Sequence, residues 1–148
     1  MDPGGSTVLF RRSKRSLPRK EITSFAQRLT TEVTGGRPFT CLVTDDAELL
    51  RLNSDFLNNP YPTDVLSFPS GQPEGDLGEL AISSERAIAQ AEEFGHTPGE
   101  EVRILMLHGV LHLLGMDHET DRGKMARVER RWRERLELPQ SLLERARA

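Results

Sequence analysis

The sequence predicts an α+β fold, in which a small mixed four-stranded sheet packs with about five helices. Four short β-prone segments occur before residue 83, and segments with apolar residues at helical spacing lie between and after them. The second half of the chain is mostly helical, which favours an α+β arrangement. No repeat, low-complexity tract or long linker divides the 148 residues, so we expect a single domain over 1–148.

The first part of the chain alternates between strands and helices. A β-prone segment at Thr7–Arg11 precedes a helix that ends at the Gly35–Gly36 pair, and Phe39–Thr44 forms the second strand. Asp45, with Glu48 three residues later, indicates a capping box at the start of the second helix. The apolar positions of these two helices are Ile22, Phe25, Ala26, Leu29 and Val33, then Leu49, Leu50, Leu52 and Phe56.

The middle of the chain contains a proline-rich loop, two short strands and the turn between them. These segments are Asn58–Pro62, Val65–Phe68, Leu77–Ile82 and, for the turn, Ser70–Asp76. Ser83 or Ser84 is expected to cap a third helix, which ends at Gly95.

The fourth helix has the strongest boundary signals. Thr97 suits the N-cap, Pro98 suits the first helical position, and Glu100 completes a capping box. Gly115 is the expected terminator, because glycine enters the left-handed conformation at no steric cost. His96, just before the cap, is expected to be solvated.

The last predicted helix is rich in arginine. Glu129 and Glu134 lie between the arginines of residues 122–135, so we expect an exposed face with intrahelical ion pairs. The apolar positions expected to contact the core are Met125, Val128, Trp132 and Leu136.

The composition favours the cytoplasm. Cys41 is the single cysteine, so no internal disulfide can form, and its apolar surroundings predict a buried side chain. Neither a signal peptide nor an apolar run of about 18 residues is visible, so we expect no membrane partner. The net charge of −3 is not typical of a general nucleic-acid binder. A basic cluster near the N-terminus, expected to be a solvated edge, comprises Arg11, Arg12, Lys14, Arg15, Arg19 and Lys20.

Three of the four histidines fall in one stretch, L-H-G-V-L-H-L-L-G-M-D-H. His108 and His112 are four residues apart on one helix face, where two imidazoles can bind one ion at roughly 2.0–2.1 Å. Gly115 turns the chain, so that His118 can be a third ligand. Three neutral imidazoles leave a tetrahedral ion one open position for a reactive water, the pattern of a catalytic site. We expect one ion per chain, with Zn²⁺ favoured and nickel, copper or iron left open.

The spacing H-x3-H-x2-G-x2-H is also that of the long zinc-protease signature. The protease requires Glu directly after the first histidine, as general base towards water. Here that position is Gly109, which has no side chain to accept a proton. The metal helix is therefore protease-like without the protease's base. Asp117, the nearest acid, is either a partner that orients an imidazole through its other nitrogen or a turn residue.

The same stretch resembles the YbeY family of endoribonucleases, or ribosomal RNA maturation factors. It matches every specified position of that family's motif, H-G-x-L-H-L-x-G-x-D-H. Pro62–Pro69 is similar to the family's P-T-D-V-L-S-F-P, Leu77–Ser83 to its L-G-D-I-x-I-S strand, and Leu52 with Asn53 to its leucine-asparagine pair. The resemblance covers roughly residues 38–136 in the correct order.

This resemblance implies a metal-dependent endoribonuclease that is specific for single-stranded RNA, with zinc on His108, His112 and His118. It implies action in 16S rRNA 3′-end maturation and ribosome quality control in the bacterial cytoplasm. Ribosomal RNA and the ribosome or its small subunit are the partners that it implies.

One position departs from the family. The family usually has an arginine four residues after Asn53, where this chain has Leu57. Arginine binds phosphate bidentately and leucine does not. Either the N-terminal basic cluster replaces it, or phosphate binding is weaker. Leu57 can also continue an apolar face into the core.

Two alternative functions follow from these departures. The chain can be a ribosome-assembly factor whose metal is mainly structural. A metallopeptidase is disfavoured, because Gly109 replaces the required Glu.

Overall fold

The computed structural model describes residues 5–14, 16–117, 121–140 and 142–146, which form four strands and six helices. The strands are β1 (Thr7–Phe10), β2 (Thr40–Thr44), β3 (Val65–Pro69) and β4 (Gly78–Ser83). The helices are α1 (Arg19–Glu32), α2 (Asp46–Leu57), α3 (Ser84–Phe94), α4 (Pro98–Leu113), α5 (Lys124–Arg135) and α6 (Leu142–Ala146).

The four strands form one mixed sheet in the order β1-β2-β4-β3. β2 pairs in parallel with both β1 and β4, and β3 pairs antiparallel with β4, with Val65 opposite Ile82. This confirms the predicted α+β fold with a mixed sheet. It also places β1 and β3 at opposite edges.

Helices cover both faces of the sheet. α1 and α4 lie over one face, where Leu80 and Ile82 belong to the main hydrophobic core. α2 covers the other face through a smaller cluster of Leu49, Leu66 and Ala81. Because neighbouring residues of a strand point to opposite faces, β4 contributes to both cores. α4 is therefore enclosed by the sheet and by neighbouring helices, and these contacts fix its position.

Most helix boundaries coincide with the predicted signals. Asp45 and Ser83 accept hydrogen bonds from the first turns of α2 and α3, and α3 ends at the left-handed Gly95. The predicted capping box at Asp45 is only half formed, because the Glu48 carboxylate binds Arg12 and Arg51 instead. α6 was not predicted from the sequence.

The single cysteine is part of the core. Cys41 is fully buried in β2, and burial raises the pKa of its thiol to about 12. The expected role as a small buried hydrophobe is confirmed, since an uncharged buried thiol is unreactive. Among the residues that the structure describes, no helix combines the length and apolar composition needed to cross a membrane.

Candidate metal centre

α4 is fixed at its N-terminus by the predicted capping box. The Thr97 hydroxyl accepts from the Glu100 backbone N–H at 3.1 Å, and the Glu100 carboxylate accepts from the Thr97 N–H at 2.9 Å. The second of these bonds lowers the pKa of the Glu100 carboxyl. Gly99 packs against Pro18, where an added Cβ would lie 2.6 Å from the ring. The register of the helix that carries His108 and His112 is thus set at its start.

The two histidines of α4 converge, as their spacing predicted. Their Nε2 atoms are 3.1 Å apart, and their rings are 4.7 Å apart between centroids at an interplanar angle of 78°. His108 is buried and His112 is partly exposed. Both line a pocket of about 420 Å³ beside β3. The other lining residues described are Thr63, Asp64, Val65, Leu66, Ser67, Pro69 and Leu142.

Glu129 of α5 holds the inner histidine. Its Oε2 lies 2.7 Å from His108 Nδ1, and its side chain is about 1% exposed. A carboxylate only accepts hydrogen bonds, so the proton of His108 belongs on Nδ1 and its Nε2 presents a lone pair towards His112. The expectation that Glu129 lies on an exposed face with intrahelical ion pairs is wrong. It is the partner that orients an imidazole through its other nitrogen.

The chemistry of these groups fits a metal ion. Two nitrogens bound to one tetrahedral zinc lie roughly 3.3 Å apart, given bonds of about 2.0–2.1 Å. The observed 3.1 Å between Nε2 atoms is close to that separation. A histidine bound through Nε2, with Nδ1–H donating to a carboxylate, is the usual arrangement around zinc.

The third predicted ligand, His118, lies outside the described residues. Within the described ranges, no group of three or more potential metal-binding side chains occurs. The ligand set of His108, His112 and His118 therefore stays a prediction. Asp117 is exposed at the end of the described segment 16–117, and its proposed role in orienting an imidazole also stays a prediction.

His96 is not solvated. Its side chain is 7% exposed, and its Nε2 lies 2.6 Å from Oε1 of the fully buried Glu101. The expectation that His96 is solvated is wrong, because the Glu101 side chain points inward from the first turn of α4 and binds the imidazole there. The chain therefore contains a second buried histidine–carboxylate pair, at the opposite end of α4.

Gly109 has a packing role that the sequence did not reveal. A Cβ added there would lie 2.6 Å from Cδ2 of the buried Leu80. The Ser67 hydroxyl donates to the Gly109 carbonyl at 3.3 Å, which joins β3 to the helix beside the histidines. At the position where proteases carry Glu, α4 therefore packs so close to the sheet that any side chain would have to displace Leu80.

The structure decides part of the question raised by Leu57. This last residue of α2 is 46% exposed, and the preceding Phe56 is 66% exposed. Leu57 does not continue the apolar face into the core. That alternative is wrong, because nearly half of the Leu57 side chain faces solvent at the last turn of α2.

Arg11 and Arg12 of the N-terminal basic cluster directly follow β1, at the other edge of the sheet. Arg11 follows β1, three strand spacings from the pocket-lining β3, which is roughly 14 Å. Arg12 is engaged with Glu48 at 3.1 Å and Asp45 at 4.0 Å. Arg15 lies outside the described residues. This placement does not favour the cluster as a replacement for an arginine at Leu57.

Gly115 ends the metal helix in the predicted left-handed conformation, with φ of +96°. A Cβ there would meet no described atom within 4 Å, so a substitution acts through backbone strain alone. Gly115→Val should lower the free energy of unfolding by about 1–2 kcal/mol. It should also lower zinc content, because His118, the predicted third ligand, follows this turn in the sequence.

Gly115→Asn is the matched control, since asparagine tolerates positive φ. This variant should lose less stability and less zinc than Gly115→Val. Thermal unfolding and zinc analysis of the two variants provide the test. An unchanged melting temperature for the valine variant would contradict this role of the turn.

Comparisons with known proteins agree on one family. The sequence model described as Endoribonuclease YbeY matches residues 8–137. A protein of that name from Solibacter usitatus is 62% identical over 143 residues, which cover 97% of this chain and 96% of that protein. Another from Koribacter versatilis is 52% identical over 104 residues, covering 70% and 68%. The solution structure of TM1509 from Thermotoga maritima shares the fold, with a TM-score of 0.60 at 24% identity over 86% of this chain and 85% of that one.

Proposed function

The chain belongs to the YbeY family of endoribonucleases, and from this premise we propose that it is a zinc-dependent enzyme that cleaves single-stranded RNA. We assign it to 16S rRNA 3′-end maturation and ribosome quality control in the cytoplasm, with the small ribosomal subunit as its partner. The observation that carries the proposed zinc dependence is the approach of His108 and His112 Nε2 atoms to 3.1 Å in a pocket.

The proposed mechanism assigns specific tasks to the residues of this chain. His108, His112 and His118 would hold zinc, which when bound acidifies a water towards pKa ~7 and polarises a phosphoryl oxygen. Glu129 keeps the proton of His108 on Nδ1, so that Nε2 stays available as a ligand. Ser67, through the Gly109 carbonyl, keeps the β3 wall of the pocket in register with α4.

Exposed aromatic rings support single-stranded RNA as the substrate. Phe56 packs edge-on against Phe68 of β3, with 6.3 Å between ring centroids. Tyr61 is 68% exposed, two residues before the pocket residue Thr63. The buried Asn53 amide donates to the Tyr61 carbonyl at 2.9 Å and anchors this loop. Unpaired bases stack on such rings, whereas paired bases do not expose their faces.

Cleavage of a defined RNA tests the proposal. Zinc-loaded protein should cut a single strand but should not cut the same strand in a duplex. The metal-free protein should cut neither RNA. End-group analysis separates two routes: a 2′,3′-cyclic phosphate excludes direct attack by water and indicates attack by the RNA 2′-OH. Activity of the metal-free protein equal to that of the loaded one would contradict zinc dependence.

A ribosome-assembly factor with a mainly structural metal is the second candidate. The observation that favours it is the lining of the pocket, which in the described part of the chain contains no arginine or lysine to hold a phosphate. Rescue of ribosome maturation in cells by His112→Ala would favour this alternative over catalysis.

Leu57→Arg tests how phosphate is held. Leu57 is exposed at the C-terminal end of α2, where the helix dipole also favours a cation, so the variant should fold normally. A charge-assisted contact to phosphate should raise single-turnover cleavage by about tenfold. Leu57→Gln is the matched control for polarity without charge, and should leave the rate unchanged. Equal rates for a folded arginine variant and the glutamine variant would count against a phosphate-binding role at this position.

A further inference from the structure

The carboxylate of Glu129 has two partners that belong to different parts of the fold. Its Oε2 accepts from His108 Nδ1 at 2.7 Å, and its Oε1 accepts from the backbone N–H of Leu143 at 3.0 Å. His108 is in α4, whereas Leu143 is in the short C-terminal helix α6. One buried side chain therefore links the metal helix to the last element described.

The two contacts together require a carboxylate. Both partners are N–H donors, and only an ionised Glu or Asp accepts on both oxygens. A glutamine at this position would satisfy one donor and direct its NH₂ group at the other. The requirement explains why a charged residue lies fully buried in α5, among apolar positions such as Met125 and Leu136.

α6 forms part of the pocket that the histidines line. Leu142, the first residue of α6, is one of the lining residues. A second attachment holds α6 to α5, where the Arg133 guanidinium donates to the Glu144 carboxylate at 2.7 and 2.9 Å. Loss of the Glu129 contact therefore leaves α6 attached through Arg133 but releases its beginning, where Leu142 meets the pocket.

We infer that Glu129 couples metal binding at His108 to docking of α6. The C-terminal helix is then a wall of the pocket that is held more firmly in place when the ion binds. Zinc on His108 Nε2 makes Nδ1–H a stronger donor and holds the Glu129 side chain in place. An ordered carboxylate in turn fixes the Leu143 N–H. Linkage is reciprocal, so docking of α6 must strengthen zinc binding by the same factor. This inference rests on the zinc site proposed above.

Two substitutions at Leu143 isolate the backbone contact. Leu143→Ala and Leu143→Pro both remove the leucine side chain, but only proline removes the N–H that Glu129 accepts. Proline is tolerated in the first turn of a helix, where this residue lies. Zinc affinity, measured by competition with a chromophoric chelator, should be on the order of fivefold lower for the proline variant than for the alanine variant.

Hydrogen exchange on the unmodified protein provides a second measurement that needs no variant at Leu143. Addition of Zn²⁺ should slow amide exchange in residues 142–146, and Glu129→Gln should abolish that slowing. Equal zinc affinities for Leu143→Pro and Leu143→Ala, or α6 exchange that zinc does not change, would overturn the coupling while leaving the zinc site intact. An unmodified chain that binds no zinc would instead overturn the proposed metal site and the coupling together.

Discussion

His112→Ala is expected to remove most of the bound zinc and to lower RNA cleavage by at least about a thousandfold, because in the proposed mechanism the metal activates water and phosphate. The variant should stay folded, since His112 is partly exposed and lies at the pocket rather than in the main core. His108→Ala should lose zinc too, but it also deprives the buried Glu129 carboxylate of a partner. Removing one partner of a buried charge typically costs about 3–5 kcal/mol of stability. Loss of zinc or activity in this variant can therefore reflect unfolding, which makes it less informative than His112→Ala.

The chain offers a matched control for the histidine variants. His96 and Glu101 form a second buried pair, 2.6 Å apart, at the other end of α4. His96→Ala should lower the melting temperature, as His108→Ala does, but should keep a full equivalent of zinc. Zinc analysis and single-turnover cleavage, with thermal unfolding alongside, measure all three variants. Full zinc occupancy in His112→Ala would show that the ion binds elsewhere.

Gly109→Glu is the second substitution with a large expected effect. It introduces the protease's general base, but its Cβ would lie 2.6 Å from the buried Leu80. Overpacking costs about 1–3 kcal/mol, and burial of an unpaired carboxylate adds several more. We therefore expect a protein that is largely unfolded at 37 °C, without peptidase activity.

Gly109→Ala separates the two contributions. Alanine creates the same first contact without a charge, and its helix propensity offsets the cost by about 1 kcal/mol. It should therefore be only modestly destabilised in urea unfolding, and should retain zinc. A folded Gly109→Glu protein that hydrolyses peptides in a zinc-dependent way would restore the peptidase interpretation.

The metal helix could be predicted from the sequence because its determinants are local. Thr97, Pro98 and Glu100 define its start, and Gly115 defines its end, all within one continuous segment. The convergence of His108 and His112 follows from helix geometry alone, since residues four apart share a face. The prediction of a mixed sheet rests only on the order of strands and helices in the first part of the chain.

The supporting residues could not be predicted, because they depend on how helices pack. Glu129 is separated from His108 by 21 residues, and only the contact of α5 with α4 brings them together. One signal was present: Glu129 lies four residues after Met125 and three before Trp132, on the apolar stripe of its helix. A charged residue on such a stripe indicates a buried partner. The many arginines of the segment outweigh this signal, because most of them are exposed.

The absence of a side chain at Gly109 has two explanations, of which the sequence reveals one. Comparison with the protease signature shows that a base is missing. Only the packing of α4 on Leu80 shows that there is no room for one. The convergence of His108 with His112 and the close contact of Gly109 with the sheet are thus two consequences of the same helix position.

Titration of the metal-free protein with Zn²⁺, followed by single-turnover cleavage of a single-stranded RNA, tests the central claim most directly. We expect cleavage to rise in proportion to added zinc and to reach a plateau at one equivalent per chain, with no such rise in His112→Ala. Full cleavage before zinc is added, or a rise in His112→Ala equal to that of the unmodified protein, would contradict the claim that an ion at His108 and His112 drives the nuclease reaction.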